Sequence, residues 1–127
     1  MNELTAGTVS SFTVAADGAL SLLGTRSVHG ADPCCVHVHP DGQWVLTANY
    51  TSGSVTVLPV LGNGALVDPT DVAQHVGSGP DPDRQAGPHA HKVLTDPAAR
   101  FVHAVGRRDP GGRRLGPHNS VGMALPA

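Results

Sequence analysis

The sequence predicts an all-β chain assembled from repeated antiparallel units. Three observations carry that reading: an internal repeat, a turn-rich composition, and the want of any helical stretch of useful length. Residues 7–20 read GTVSSFTVAADGAL and residues 53–66 read GSVTVLPVLGNGAL, an offset of 46 with Gly7/Gly53, Val9/Val55, Val14/Val60, Gly18/Gly64, Ala19/Ala65 and Leu20/Leu66 identical. Gly (16) and Pro (11) fill about a fifth of the 127 positions, against roughly 12% in an average protein. Charged residues are 14% and aromatics 3%, namely Phe12, Trp44, Tyr50 and Phe101. That mixture disfavours both a helical bundle and a charged disordered tail.

Taken in order, residues 7–20 alternate β-branched positions up to Asp17-Gly18 and continue apolar, which predicts a hairpin. A tight type I′ turn is expected there, because Asp, Asn and Gly tolerate the positive φ it requires. Residues 36–49 (VHVHPDGQWVLTAN) echo residues 93–105 (VLTDPAARFVHAV) through Pro40/Pro97, Trp44/Phe101 and Val45/Val102. Both predict strand, Pro-containing turn, strand. Residues 53–66 repeat the hairpin with Asn63-Gly64, and residues 67–88, rich in proline, form a long inter-unit loop. DPGGRRL (109–115) is a third, weaker hairpin copy.

Units in the forties with about four strands each are the pattern of β-propeller blades. The chain supplies about two and a half four-stranded antiparallel blades, too few to close a ring. It divides into 1–105, an incomplete propeller, and 106–127, a truncated third blade in which a strand is missing after Val105. Open sheet edges in such a piece invite self-association.

Charge is unevenly placed within a net of −2. Residues 1–105 hold Arg26, Arg84, Lys92 and Arg100 against nine acids, whereas 106–127 hold Arg107, Arg108, Arg113 and Arg114 against Asp109. An acidic body argues against nucleic acid as a partner, and the basic end reads as a solvated loop. Cys34 and Cys35 are adjacent, a spacing too short for a relaxed mutual bridge. No signal peptide and no membrane-length apolar run are visible, so a cytoplasmic location without membrane attachment is expected.

The chemistry-bearing residues are histidines. His37 and His39 are two apart on one strand face, as are His89 and His91. Either pair is half of a metal site, and Cys34 and Cys35 lie near the first. The plainer reading of His37 and His39 is strand residues leading into the H-P-D-G turn, with His39 bonding local backbone. Residues 74–91 (QHVGSGPDPDRQAGPHAH) gather His75, Arg84, Gln85, His89 and His91 on a loop and the strand it enters. Loops on a rigid β scaffold are where sites are built. Histidine serves as a general base near neutral pH, and arginine forks onto phosphate or carboxylate. Such a set points to an anion-binding hydrolytic site, with polar loop residues satisfying their own backbone as the alternative.

HPDGQWVLTANYTSGSVTVLPV (39–60) and QHVGSGPDPDRQAGPHAHKVLTDPAARFVHAV (74–105) together resemble the lactonase family of seven-bladed propellers. That family includes propeller-type 6-phosphogluconolactonases and carboxymuconate lactonizing enzymes. The resemblance implies that the chain is an N-terminal piece of a seven-bladed β-propeller whose central face binds a sugar lactone. It implies hydrolysis of 6-phosphogluconolactone, with His91 ahead of His89 as the water-activating group. Arg84 and Gln85 would hold a phosphate or developing oxyanion, and Asn49 and Tyr50 would line the site, with no metal or cofactor. The stretch after Val105 departs from the family pattern, implying a gap near Val105–Arg107, and the later blades bring the Arg and Glu that act with the histidine. The chain alone is therefore expected to be inactive. A propeller binding module using loop 67–88, or lactone formation as in the cycloisomerase relatives, are the alternatives.

Overall fold

The structure, a computed structural model, describes residues 1–83 and 85–106 and a strand at 122–124. Among these residues every regular element is a β-strand. β1 (Thr8–Val14) and β2 (Leu20–Ser27) form a two-stranded sheet. β3 (Pro33–Val38), β4 (Trp44–Asn49), β5 (Ser54–Pro59) and β6 (Asp71–Gln74) form a four-stranded antiparallel sheet in that order. β7 (Ala90–Thr95), β8 (Phe101–Gly106) and β9 (Gly122–Ala124) form a third sheet. The three sheets are one complete blade between two partial ones, and the expected partial propeller is what the chain adopts.

Two element assignments change. The loop expected over 67–88 contains β6, the outer strand of the complete blade, paired to β5 from Ser54↔Gln74 to Val57↔Asp71. The third-strand position of the last sheet is occupied by β9, which pairs with β8 through Phe101↔Ala124 and His103↔Gly122. Sequence reading looked for that strand directly after Val105 and missed one of three residues farther on. The hairpin copy at 109–115 and the condition of 107–121 lie outside the described residues.

The internal repeat holds down to single hydrogen bonds. The Gly18 N–H donates to Ala15 O at 2.9 Å, and the Ala15 N–H to Ala19 O at 2.9 Å. In the second copy Gly64 donates to Leu61 O at 2.8 Å and Leu61 to Ala65 O at 2.9 Å. The side-chain oxygens of Asp17 and Asn63 each accept the N–H two residues on at 3.0 Å. Only Gly18 (φ 84) and Gly64 (φ 85) enter the left-handed region, while Asp17 and Asn63 do not. The turns are therefore not type I′: a longer loop uses one left-handed glycine and an Asx side-chain bond in place of two positive-φ residues.

The inner hairpins turn at the same end, where the Val60 N–H donates to Gln43 O at 2.8 Å. Gly42 (φ 73) serves His39–Trp44, and its counterpart in Asp96–Phe101 is Ala99, held at φ 55. The Asp96 carboxylate fixes that turn by accepting the N–H groups of Phe101 and Arg100 at 2.7 Å and of Ala98 at 3.2 Å. Those donors, Phe101 first, hold Asp96 below the usual carboxylate range.

Sheet stacking makes the core. On one face of the complete blade Leu46, Ala48, Val55 and Val57 meet Ala90, Val93, Val102 and Ala104 of the next sheet. On the other face Val45 and Leu58 meet Val9, Val28 and Leu66. Each such fully buried valine or leucine is worth about 1.5–3 kcal/mol against exposure. No aromatic is fully buried: Phe12 and Phe101 are exposed, and Trp44 and Tyr50 are half-buried.

Beside the second apolar cluster lies a buried polar one. Asn49 Nδ2 donates to Ser54 Oγ and Thr56 Oγ1, both at 3.0 Å, and Asn49 Oδ1 accepts from Thr47 Oγ1 at 3.2 Å. The Thr56 hydroxyl donates a hydrogen bond across the sheet gap to Val28 O. Gly30 lies so close that a Cβ on it would stand 2.4 Å from Asn49 Nδ2. All four side chains are buried. Removing one member strands several others, and each orphaned buried group costs about 1–3 kcal/mol. Asn49→Ala is therefore expected to destabilise the chain by about 2–4 kcal/mol, read as a lowered urea midpoint. A loss below half a kcal/mol would show the network to be idle. Ala99→Gly should stabilise the chain by about 0.5–1 kcal/mol, read as a raised urea midpoint, because a left-handed alanine costs more than glycine's extra chain entropy. A destabilised Ala99→Gly protein would contradict the backbone described for that turn.

Candidate functional site

The site residues gather at the blade end opposite the His39 and Asp96 turns. At that end β3 and β7 begin, β4 ends at Asn49, and the Tyr50–Gly53 turn leads into β5. Gly53 has φ 63, and a Cβ on it would meet the Pro88 carbonyl oxygen at 2.2 Å. Its lack of a side chain lets the segment before β7 press onto the turn. That approach brings His89 to Tyr50.

The two rings stack, with centroids 4.5 Å apart and planes 13° from parallel. His89 Nδ1 lies 3.1 Å from Tyr50 O. A carbonyl only accepts, so Nδ1 carries the proton and the neutral ring keeps Nε2 as its acceptor. His91 meets the edge of the same tyrosine, centroids 6.0 Å apart at 81°. Its side chain is exposed, whereas His89 and Tyr50 are half-buried. His91 is also the extra residue of a bulge: Ala90 pairs with Gly106 and Lys92 with Val105, leaving His91 without a partner position. Bulges re-aim side chains and recur beside sites.

The other expected residues are placed differently. Asn49 is fully buried with both amide hydrogens donated within the blade. That geometry leaves no amide hydrogen for a ligand, and Asn49 supports Tyr50 from behind instead of lining a surface. Gln85 closes its own loop: its Oε1 accepts the Asp81 N–H at 3.2 Å, and its backbone joins Asp81 and Gly79. Arg84 lies outside the described residues. His75 hangs from the Gly53 carbonyl through its N–H at 3.1 Å, and its Nε2 is buried without a partner among the described residues. Burial holds its imidazole below the usual histidine value, so it is neutral at pH 7.

Sequence reading missed one neighbour. Cys34 is the bulged residue of β3, between Pro33↔Asn49 and Cys35↔Ala48, as His91 is of β7. Its Sγ lies 3.4 Å from Ala90 O and 3.5 Å from His91 O. Burial first, then Cys35, pushes its thiol up, so it stays protonated at neutral pH. Counting back from Pro40 and Pro97 through the repeat would have set Cys34 opposite His91. The pair His37 and His39 belongs to the far end, where His37 Nε2 lies 3.2 Å from Thr95 Oγ1 and His39 is buried. Both cysteines are free, and no group of three or more His, Cys, Asp or Glu among the described residues is arranged to hold a metal ion. No helix among them is long and apolar enough to cross a membrane.

Comparison with known proteins agrees with the fold. Residues 1–107 match the model of the family described as lactonase, 7-bladed beta-propeller. A 6-phosphogluconolactonase of Bacillus subtilis (strain 168) is 43% identical over 88 residues, which are 69% of this chain and 25% of that protein. A provisionally named 6-phosphogluconolactonase from Bacteroides fragilis superposes with a TM-score of 0.72 at 41% identity, over 78% of this chain and 28% of that one. The periplasmic gluconolactonase of Pseudomonas aeruginosa superposes at 0.74 with 28% identity, over 80% and 29%. The chain thus spans about a quarter of the length of the curated relatives it matches. With five-sixths of its residues inside the family match and its blades stacked as that architecture requires, the chain belongs to the lactonase family of seven-bladed β-propellers.

Proposed function

We propose that the His89–Tyr50–His91 cluster is one wall of a lactone-hydrolysing site, and that the reaction of the whole propeller is opening of 6-phosphogluconolactone to 6-phosphogluconate. The observation that carries this reading is the cluster itself: two imidazoles against one tyrosine at the mouth of the innermost strands. A flat aromatic face suits the apolar face of a sugar ring, and the imidazoles suit proton transfer. His91 is assigned the base. It would take a proton from water as the oxygen adds to the lactone carbonyl; the ring C–O bond then breaks, and the proton passes to the released hydroxyl. Arg84 is assigned to the phosphate, which a guanidinium holds with two parallel bonds. Gln85 shapes the loop that carries Arg84, and Asn49 holds Tyr50. A second reading has a specific observation behind it: the Tyr50 carbonyl fixes the tautomer of His89, leaving Nε2 as a ready acceptor. In that reading His89 is the base and His91 contacts substrate.

The similar gluconolactonase of Pseudomonas aeruginosa is periplasmic by name, and the compartment proposed for this chain is the cytoplasm. With no nucleic-acid surface in its acidic body, the partner is a small sugar lactone.

One positioned base is worth about 10²–10⁴ in rate, and the opposing groups of a whole ring are not on this chain. The 127-residue protein is therefore expected to hydrolyse the phosphorylated lactone little above its spontaneous rate. It should still bind 6-phosphogluconate weakly, moving the NMR signals of Tyr50, His89 and His91, with the shifts lost in Arg84→Ala. Rapid turnover abolished by His91→Ala would refute the expected inactivity, and product binding that leaves all three rings unmoved would remove the site. Should turnover occur, its loss in His89→Gln but not in His91→Gln selects the second reading.

A further inference from the structure

At the far end of the blades from that cluster, His39 joins two consecutive sheets. It stands at the end of β3, is only 6% exposed, and both ring nitrogens face oxygens. Nδ1 lies 2.7 Å from Asp41 Oδ1 in its own turn. Nε2 lies 3.0 Å from Ala99 O in the β7–β8 turn of the next blade. Neither oxygen can donate, so satisfying both contacts requires both nitrogens to carry protons, which only the imidazolium does. Ala99 presents its carbonyl from a left-handed backbone, φ 55. The residue at the equivalent position of the next blade is Asp96, which cannot make this contact because its carboxylate is committed to three N–H groups of its own turn.

We propose that His39 is a protonation-dependent tie between two blades, closed as the imidazolium and opened on the next-blade side when the ring loses a proton. A neutral ring has one N–H to place. The bond to the Asp41 carboxylate is shorter and charge-assisted, roughly twice as strong as a neutral one, so Nδ1 keeps the proton. Nε2 is then a lone pair set against the lone pairs of Ala99 O, and the turns part. The alternative tautomer would keep Ala99 and turn Nδ1 toward the Asp41 N–H, which is 3.4 Å away and a poor donor at that distance. This tie is independent of any chemistry at the Tyr50 end.

The surrounding charges agree. Burial alone would pull the ring below the usual histidine value, but the Asp41 bond, the Ala99 carbonyl and the Asp41 charge outweigh it and raise it. Asp41 in turn is held below the carboxylate range, by the Gln43 N–H first and then by His39. From the facing turn, Arg100 lies over the Phe101 ring, 5.6 Å from its centroid, and Asp96 is engaged as described. His37, two residues back on the same strand, is opposite Thr95. With the folded value raised, the stabilisation is complete below the ordinary histidine range and is lost as pH rises through the folded value.

The test is an NMR titration of the chain between pH 5 and 9. His39 should titrate above the ordinary histidine value, and the Arg100 amide, which shares its peptide group with Ala99 O, should move with the same midpoint. The melting temperature should fall by about 2–4 °C across that transition. Asp41→Asn should lower the His39 midpoint. In His39→Gln the Arg100 amide should stop responding and melting should become flat over the same range. An Arg100 amide that ignores the His39 titration would overturn the tie, since the Ala99 contact would then survive deprotonation. An unshifted midpoint in Asp41→Asn would do the same.

Discussion

Everything in this chain depends on the sheets lying face to face. The complete blade carries apolar residues on both faces, so it must solve burial twice, once toward each neighbour. Toward the following blade it does so with Leu46, Ala48, Val55 and Val57. Toward the preceding blade it uses Val45 and Leu58 and, next to them, the hydroxyls and amide of Thr47, Asn49, Ser54 and Thr56. Buried polar groups are tolerable there because the amide hydrogens and the Thr56 hydroxyl end on acceptors, one of them the Val28 carbonyl of the neighbouring sheet. A purely aliphatic interface would slide, whereas hydrogen bonds with fixed directions set how one blade sits on the next.

The same network explains why the candidate site is where it is. Asn49 closes the buried strand, and Tyr50 is the first residue beyond it, its N–H donated to Asp32 O at 2.9 Å and its carbonyl holding His89. Rigid blade thus ends and the candidate surface begins between adjacent residues. On the innermost strands a bulge at Cys34 and another at His91 turn a side chain out of the alternation at that same end. Strand pleat alone would have given His91 a ladder partner and aimed it with Val93 at the neighbouring blade. The extra residue frees it.

The fold was legible in the sequence wherever local chemistry dictates it. The repeat of Gly18 and Gly64 reports a backbone that needs positive φ, and it returned the hairpins and their spacing. What stayed hidden was tertiary. TANYTSGSVT looks like a strand pair with one polar, solvated face, and alternation cannot say that a second sheet covers the threonines. Asn49, which the family resemblance set among the residues lining the site, is buried by that second sheet. β6 escaped because four residues, DVAQ, are too few for a periodic signal, and β9 because its three pair only by position. Of the site, the histidine pair and Tyr50 were visible by motif. Cys34 was visible only through the register between units.

Two H-x-H pairs, alike in sequence, show how far position overrides motif. At the start of an inner strand a bulge lifts one histidine into the open, and a carbonyl sets the tautomer of its neighbour, so both rings keep a nitrogen for other molecules. At the end of an inner strand the fold closes over His39, and a carboxylate and a carbonyl take both of its nitrogens. The first arrangement suits proton transfer, which needs a lone pair that is not already spent. The second suits holding parts together, which needs every bond spent. The difference lies in which end of the blade the loop geometry leaves uncovered, and that is set by Gly53 admitting Pro88 at one end and by Ala99 turning its carbonyl inward at the other.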